Sequence, residues 1–189
     1  MHLAYHSLNP PTAFDLWTVR ITESAGKLSP GKPELFLRTS SHETYPSFSP
    51  EGRWIGYGSG QHGPWEVYVR PFPRTDGGEI KVSDGGGRIP QFINARELVY
   101  RTDDHRLMIV PYGEENGAFV RGKPREWTST RLADTGVINN FDVDPDGTRV
   151  LGLLPADMDA ARNYRNSITV VLNFSEAVRR RVSEAGISK

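Results

Sequence analysis

A plan of about 45 residues recurs along the chain, and this periodicity limits the possible folds more than any other feature. The segment YPSFSPEGRWIGYGS (Tyr45 to Ser59) reads as strand, tight turn, strand, and NNFDVDPDGTRVLGLL (Asn139 to Leu154) repeats it. Pro50-Glu51-Gly52 corresponds to Pro145-Asp146-Gly147. Between them IPQFINARELVYRT (Ile89 to Thr102) is the same unit one residue shorter, with Asn94-Ala95 at the bend. Phe48, Phe92 and Val143 are equivalent, at separations of 44 and 51. Pro presets φ for the bend, the acid accepts local backbone bonds, and Gly supplies positive φ. A fixed period of this size means stacked supersecondary units rather than one continuous sheet.

A third alternating strand follows each pair. DLWTVRI (Asp15 to Ile21), EVYVRPF (Glu66 to Phe72), RLMIVPY (Arg106 to Tyr112) and SITVVLNF (Ser167 to Phe174) fill that slot. Fourth strands follow in ELFLRTS (Glu34 to Ser40), EIKVSD (Glu79 to Asp84) and REWTSTRL (Arg125 to Leu132). No segment before Phe174 sustains a helical period over ten residues. The expected fold is therefore all-β: a partial β-propeller of about 3.5 four-stranded antiparallel blades. A short C-terminal helix is expected from Ser175, where Phe174, Val178 and Val182 share a face and Arg179, Arg180 and Arg181 suit the negative end of the helix dipole. The expected division is a three-stranded partial blade over 1–40, full blades over 41–84 and 85–133, a three-stranded partial blade over 134–174, and the helix and tail over 175–189.

FSPEGRWIGYGS, VDPDGTRVLGLL and DLWTV resemble the repeats of TolB-like, WD-repeat-like propellers. EVYVRPFP (Glu66 to Pro73), the triplet Gly85-Gly86-Gly87, Pro90-Gln91-Phe92 and ITVVLNF (Ile168 to Phe174) resemble most the C-terminal propeller region of bacterial serine/threonine protein kinases. The resemblance implies a non-catalytic binding or scaffold module, presenting loops to a protein, peptide or small ligand. Its alternative is an accessory propeller, the sensor of a membrane kinase or the gate of a serine peptidase, present as a fragment. Propellers of that family have six or seven blades, so this chain holds about half a ring. An open ring leaves two blade faces bare, and each apolar side chain on them forgoes about 1.5–3 kcal/mol of burial. A homodimer or a missing propeller half would cover them.

Other classes lose support on composition and motifs. Lys+Arg and Asp+Glu both number 23, so a nucleic-acid partner is not expected. No apolar run reaches the length of a membrane span. Cys is absent, which removes thiolate chemistry. Gly58-Ser59-Gly60-Gln61-His62-Gly63 spells GxGxxG, but Pro64 and a strand follow where a dinucleotide site needs a helix. Asp142, Asp144, Asp146 and Gly147 match half of a calcium loop whose twelfth residue is Leu153 rather than Glu. His2 and His6 would lie roughly 13 Å apart on a strand, too far for one zinc ion. There is no GxSxG elbow and no kinase motif. No catalytic, cofactor-binding or metal-binding residue is expected, and the chain is read as not an enzyme. Asn173-Phe174-Ser175 is a glycosylation acceptor only in a secretory setting. Without an export signal the default location is cytoplasmic; a membrane-anchored kinase would place the domain outside.

The chain path predicts where a ligand binds. Loops before strand one and between strands two and three share one rim. These are Ser40 to Tyr45, Ser59 to Pro64, Asp84 to Ile89, Asp103 to His105, and Asp134 to Asn140. They gather His42, Glu43, Tyr45, His62, Arg88, Asp104, His105, Asn139 and Asn140 as the expected ligand or partner surface. Arg88 is expected to contact an anion, and Tyr45 to anchor packing. The loop ADMDAARNYR after Pro155 is a further expected contact.

Overall fold

A computed structural model describes residues 1–9, 13–73, 77–136, 138–144 and 146–155. The loop after Pro155, the strand expected from Ser167, the acceptor Asn173 and the terminal helix lie outside the described residues. Met1–Pro155 forms one unit.

The described residues are strands and turns, without helix. The first sheet holds β1 (His2–Asn9), β2 (Ala13–Ser24), β3 (Lys27–Pro30) and β4 (Glu34–Leu37). β1 pairs antiparallel along β2, whose other edge takes β4 near its start and β3 near its end. The second sheet is β5 (Glu43–Phe48), β6 (Trp54–Ser59), β7 (Glu66–Pro71) and β8 (Ile80–Lys81), in that spatial order. The third is β9 (Arg88–Phe92), β10 (Glu97–Arg101) and β11 (Leu107–Glu115), with both β12 (Ala118–Arg121) and β13 (Arg125–Thr128) against β11. β14 (Phe141–Val143) and β15 (Val150–Gly152) form a fourth pair. Every pairing is antiparallel, and all but β2–β4 and β11–β13, which step over the inserted β3 and β12, join consecutive strands, the meander order of propeller blades.

Period-two alternation explains how the sheets stack. Ile55, Tyr57 and Tyr68 face the first sheet and pack on Leu16 and Phe36. Their sequence neighbours Trp54, Val67 and Val69 face the opposite way, onto Leu98, Tyr100, Val110 and Phe119 of the third sheet. In the third sheet Val99, Leu107 and Ile109 turn toward Leu132 and Phe141. The middle strands are thus buried on both faces, and their sequences are almost continuously apolar. The first sheet differs. Its side away from the second sheet leaves Leu3 and Leu35 exposed, as is Leu28 on β3. The all-β, partial-propeller expectation holds among the described residues.

Two features go beyond the expected four-strand plan. β2–β3 and β11–β12 are extra hairpins closed by two-residue turns, Ala25-Gly26 (φ 51 and 74) and Asn116-Gly117 (φ 50 and 81). Positive φ at both turn residues matches the right-handed twist of the flanking strands. The β11–β12 hairpin reaches the second sheet. Phe119 stands edge-on to Trp54 (5.4 Å) and stacks on Tyr112 (5.1 Å). Arg53 of the β5–β6 turn forms a two-pronged ion pair with Glu114. Arg121 grips both oxygens of Asp84 at 3.0 and 2.9 Å.

A charged residue at or near the start of β2, β7 and β11 is tied to the last strand of its own sheet or to the residues just after it. Asp15 accepts from Arg38 (2.8 Å), and Glu66 from Lys81 (2.6 Å) and Ser83 (2.5 Å). Arg106 donates to Glu126 (3.0 Å), with the signs reversed. The half calcium loop is a hairpin device: Asp144 pairs with Arg149, and Asp146 accepts from Thr148 N–H (2.8 Å) and its hydroxyl (2.7 Å).

Candidate ligand-binding rim

The terminal rungs Glu43↔Ser59 and Arg88↔Arg101 lie at one end of the second and third sheets. At that end the first strands of both sheets break register, with Tyr45 (φ 53) and Ile89 (φ 55) in left-handed backbone before Pro46 and Pro90. Left-handed geometry is strained for a residue with a Cβ, and most so for β-branched Ile89.

The bulge opens a cavity of about 210 Å³ walled by His6, Phe14, His42, Thr44, Tyr45, Trp65 and Arg88. Its walls are mostly aromatic. His6 meets Phe14 (5.3 Å) and Tyr45 (5.4 Å) edge-on, and His42 stacks on Trp65 (6.2 Å). The Arg88 guanidinium lies 4.5 Å from the Trp65 ring centroid, a cation–π distance, and donates to Asp103 at 3.1 Å. Tyr45 N–H donates to His6 Nδ1 at 3.3 Å, which leaves the ring proton on Nε2. Burial lowers the His6 pKa, favouring the neutral imidazole. Burial raises the Tyr45 pKa, against the opposing pull of Arg101 and Arg88. The phenol is therefore present as a donor.

Behind this wall the polar groups are incompletely paired. Glu43 is fully buried; its Oε1 accepts from Thr39 (2.5 Å) and Ser59 (3.4 Å), while Oε2 has no partner. Thr44, 6% exposed and lining the cavity, has a free Oγ1. Arg101, 4% exposed, donates from Nη2 to the Gly136 carbonyl (3.3 Å) and leaves Nε and Nη1 free. His105 (φ 66) has a buried, unpartnered Nδ1. Asn140 donates to the Ala133 carbonyl (2.6 Å), with Oδ1 free.

Burial raises the Glu43 pKa, hydrogen bonds from the Thr39 hydroxyl and backbone and from Ser59 oppose it, and the charge of Asp15 adds a smaller upward push. The folded state then holds this proton more tightly than the unfolded chain. The stability it contributes is present below the usual carboxyl value of 4.5 and is lost as pH rises through the raised value. Glu43→Gln removes this loss. Its Tm relative to wild type is expected to be higher at about pH 7 than at about pH 4. A Tm difference independent of pH contradicts the assignment.

The predicted residues fall into three groups. His42, Tyr45 and Arg88 line the cavity, and Glu43 is buried beside it. His105 and Asn140 sit on the rim loops beyond the third sheet with free buried atoms. The others serve local structure. His62 bonds Glu79 (3.0 Å) beside Tyr57 and Arg70. Asp104 accepts from Thr102 (2.6 Å) and Arg106 (2.8 Å), and Asn139 Oδ1 accepts from Phe141 N–H (3.3 Å). Sequence reasoning missed His6, Phe14, Thr44, Trp65 and Arg101. Phe14, Trp65 and His105 each immediately precede the charged residue that opens a third strand, so the repeat itself carried a signal for them. No group of metal-ligating side chains occurs among the described residues.

No protein-family model matches the chain, and no curated protein matches it. Among solved structures it is similar to the putative TolB from Agrobacterium tumefaciens, at 17% identity and a TM-score of 0.48, covering 69% of this chain and 46% of that one. It is also similar to TolB from Acinetobacter baumannii, at 15% identity and a TM-score of 0.47, covering 83% of this chain and 48% of that one. The chain spans about half the length of either TolB structure.

Proposed function

We propose that this chain is a non-catalytic binding module that uses the rim cavity to hold an aromatic or apolar group of a peptide or small ligand. One observation carries the reading. Among the described residues, the buried side-chain atoms lacking a partner are Glu43 Oε2, Thr44 Oγ1, Arg101 Nε and Nη1, His105 Nδ1 and Asn140 Oδ1; Thr44 lines the cavity, and the others belong to the strand ends and loops at the same end of the sheets. Buried polar atoms are nearly always bonded, so a cluster of exceptions marks a surface completed by something else. The aromatic walls supply the apolar contact such a site needs. Within a larger kinase or peptidase the same rim would act as sensor or gate.

Phenol is a suitable neutral probe. Ligand-observed NMR is expected to show saturable phenol binding to the wild type, weakened at least about tenfold in Trp65→Ala, where the stacking face is lost. Equal phenol binding by both proteins sinks the reading.

A further inference from the structure

The cation in this rim is the unusual element. Arg101 sits on the rung that Gly58 occupies in the preceding repeat: Thr44 faces Gly58 on β5–β6, and Arg88 faces Arg101 on β9–β10. A repeat that accepts a glycine there does not need a guanidinium for folding. Arg101 is nonetheless 4% exposed. The hydrogen on Nε and the pair on Nη1 have no acceptor, and the one bond it makes is to a neutral carbonyl. No described carboxylate forms an ion pair with it. Asp103 is taken by Arg88 (3.1 Å), and the largely exposed Asp134 lies toward His105 (3.9 Å). Arg88 adds a second positive charge from the opposite strand, and burial further disfavours the charged form of Arg101. A guanidinium does not deprotonate in response, so the charge stays. Asp134 and Asp103 offset this only from a distance, without an ion pair to Arg101; a buried charge with no direct partner is among the most costly arrangements in a protein interior. It becomes favourable when an anion is present.

We propose that the free Nε and Nη1 donors of Arg101, reinforced by the charge of Arg88, form the seat for an oxyanion, a carboxylate or phosphate group carried by the rim ligand. This rests on the rim being the binding surface and adds the ligand's charge. A group with its anion at Arg101 and an apolar part toward Trp65 uses Arg88 at the boundary, where that side chain both lines the aromatic cavity and faces Arg101 across the strand pair. Charge-assisted bonds from guanidinium to carboxylate or phosphate are the strong members of their class.

The test is thermal unfolding of the full chain in sodium acetate, sodium phosphate and sodium chloride at equal ionic strength and pH. General salt effects act alike on wild type and variants, whereas site binding raises Tm with a saturable concentration dependence. The wild type is expected to gain Tm in acetate or phosphate over chloride. Arg101→Met is expected to lose that gain, with the apparent dissociation constant raised at least about tenfold. Arg101→Lys keeps the charge and is expected to retain part of the gain. Which salt acts distinguishes a carboxylate ligand from a phosphate one. Equal gains in wild type and Arg101→Met overturn the proposal. Should Arg101→Met not fold, the Arg101 Nε–H resonance of the wild type decides: a saturable shift with acetate or phosphate supports the seat, and a drift matching that in chloride overturns it. Phenol carries no charge and separates the two readings. Phenol binding without an anion effect removes only the oxyanion seat; its absence removes the rim reading.

Discussion

Phe119→Ala is expected to cost about 3–5 kcal/mol, a large share of a single domain's stability. The side chain is 4% exposed, edge-on to Trp54 and stacked on Tyr112, and it is the main apolar tie of the β11–β12 hairpin to the second sheet. The Arg53–Glu114 and Arg121–Asp84 pairs that flank it are partly solvated and contribute far less. Leu28 is the matching residue of the β2–β3 hairpin, two positions after Gly26 as Phe119 is two after Gly117. It is 57% exposed, so Leu28→Ala is expected to change stability by less than about 0.5 kcal/mol. Urea unfolding of both variants gives the comparison, read as a shift in midpoint at constant slope. Similar costs at the two positions would mean that the first sheet is covered in solution, as a second copy or a further blade would cover it.

Gly87→Ala is expected to cost about 3 kcal/mol, near the upper end for overpacking. A Cβ there would lie 2.6 and 2.8 Å from ring carbons of Tyr100 and 3.1 Å from the Ser83 Cβ. Tyr100 is fully buried among Val67, Val82 and Leu98 and has no room to move. The Gly87 N–H donates to the Trp65 carbonyl at 2.9 Å, which prevents the backbone from retreating. Gly85 is a useful contrast within the same triplet. Its φ is 78 with nothing within 4 Å, so Gly85→Ala carries only the left-handed penalty of about 1–2 kcal/mol. The reverse order of costs, in the same denaturant assay, contradicts the described loop. Because Gly87 precedes Arg88 and holds Trp65, its substitution is also expected to weaken phenol binding.

Strands and hairpins were legible because their determinants are local. Gly52 (φ 69) and Gly147 (φ 72) are the turn residues that the recurring Pro-acid-Gly implied. The alternation of Trp54 with Ile55, and of Val67 with Tyr68, gave both faces of the second sheet. The Asn116-Gly117 hairpin is equally local, but the 45-residue plan places one strand over Arg106 to Tyr112 and the next from Arg125, with no hairpin between them. The site was harder to read. The bulge that swings Tyr45 to the rim depends on positive φ at a non-glycine, for which the sequence has no marker. The loop of His62 points to the rim, but the sequence does not show that its ring bonds Glu79, from the stretch leading into the fourth strand, rather than lining the cavity. Arg101 reads as the polar end of a strand, and its burial follows only from how the third sheet packs beside the loop containing Gly136.

Ligand binding at the aromatic rim is tested most directly by the phenol titration followed through backbone amide shifts, residue by residue. Saturable shifts are predicted at Thr44, Tyr45, Trp65 and Arg88, fading beyond Arg101. Another cavity, of about 440 Å³, lies between the hairpin and the second sheet, lined by Trp54, Phe72, Ile80 and Phe119. Shifts centred on those residues, or scattered over the exposed face of the first sheet, would contradict the claim.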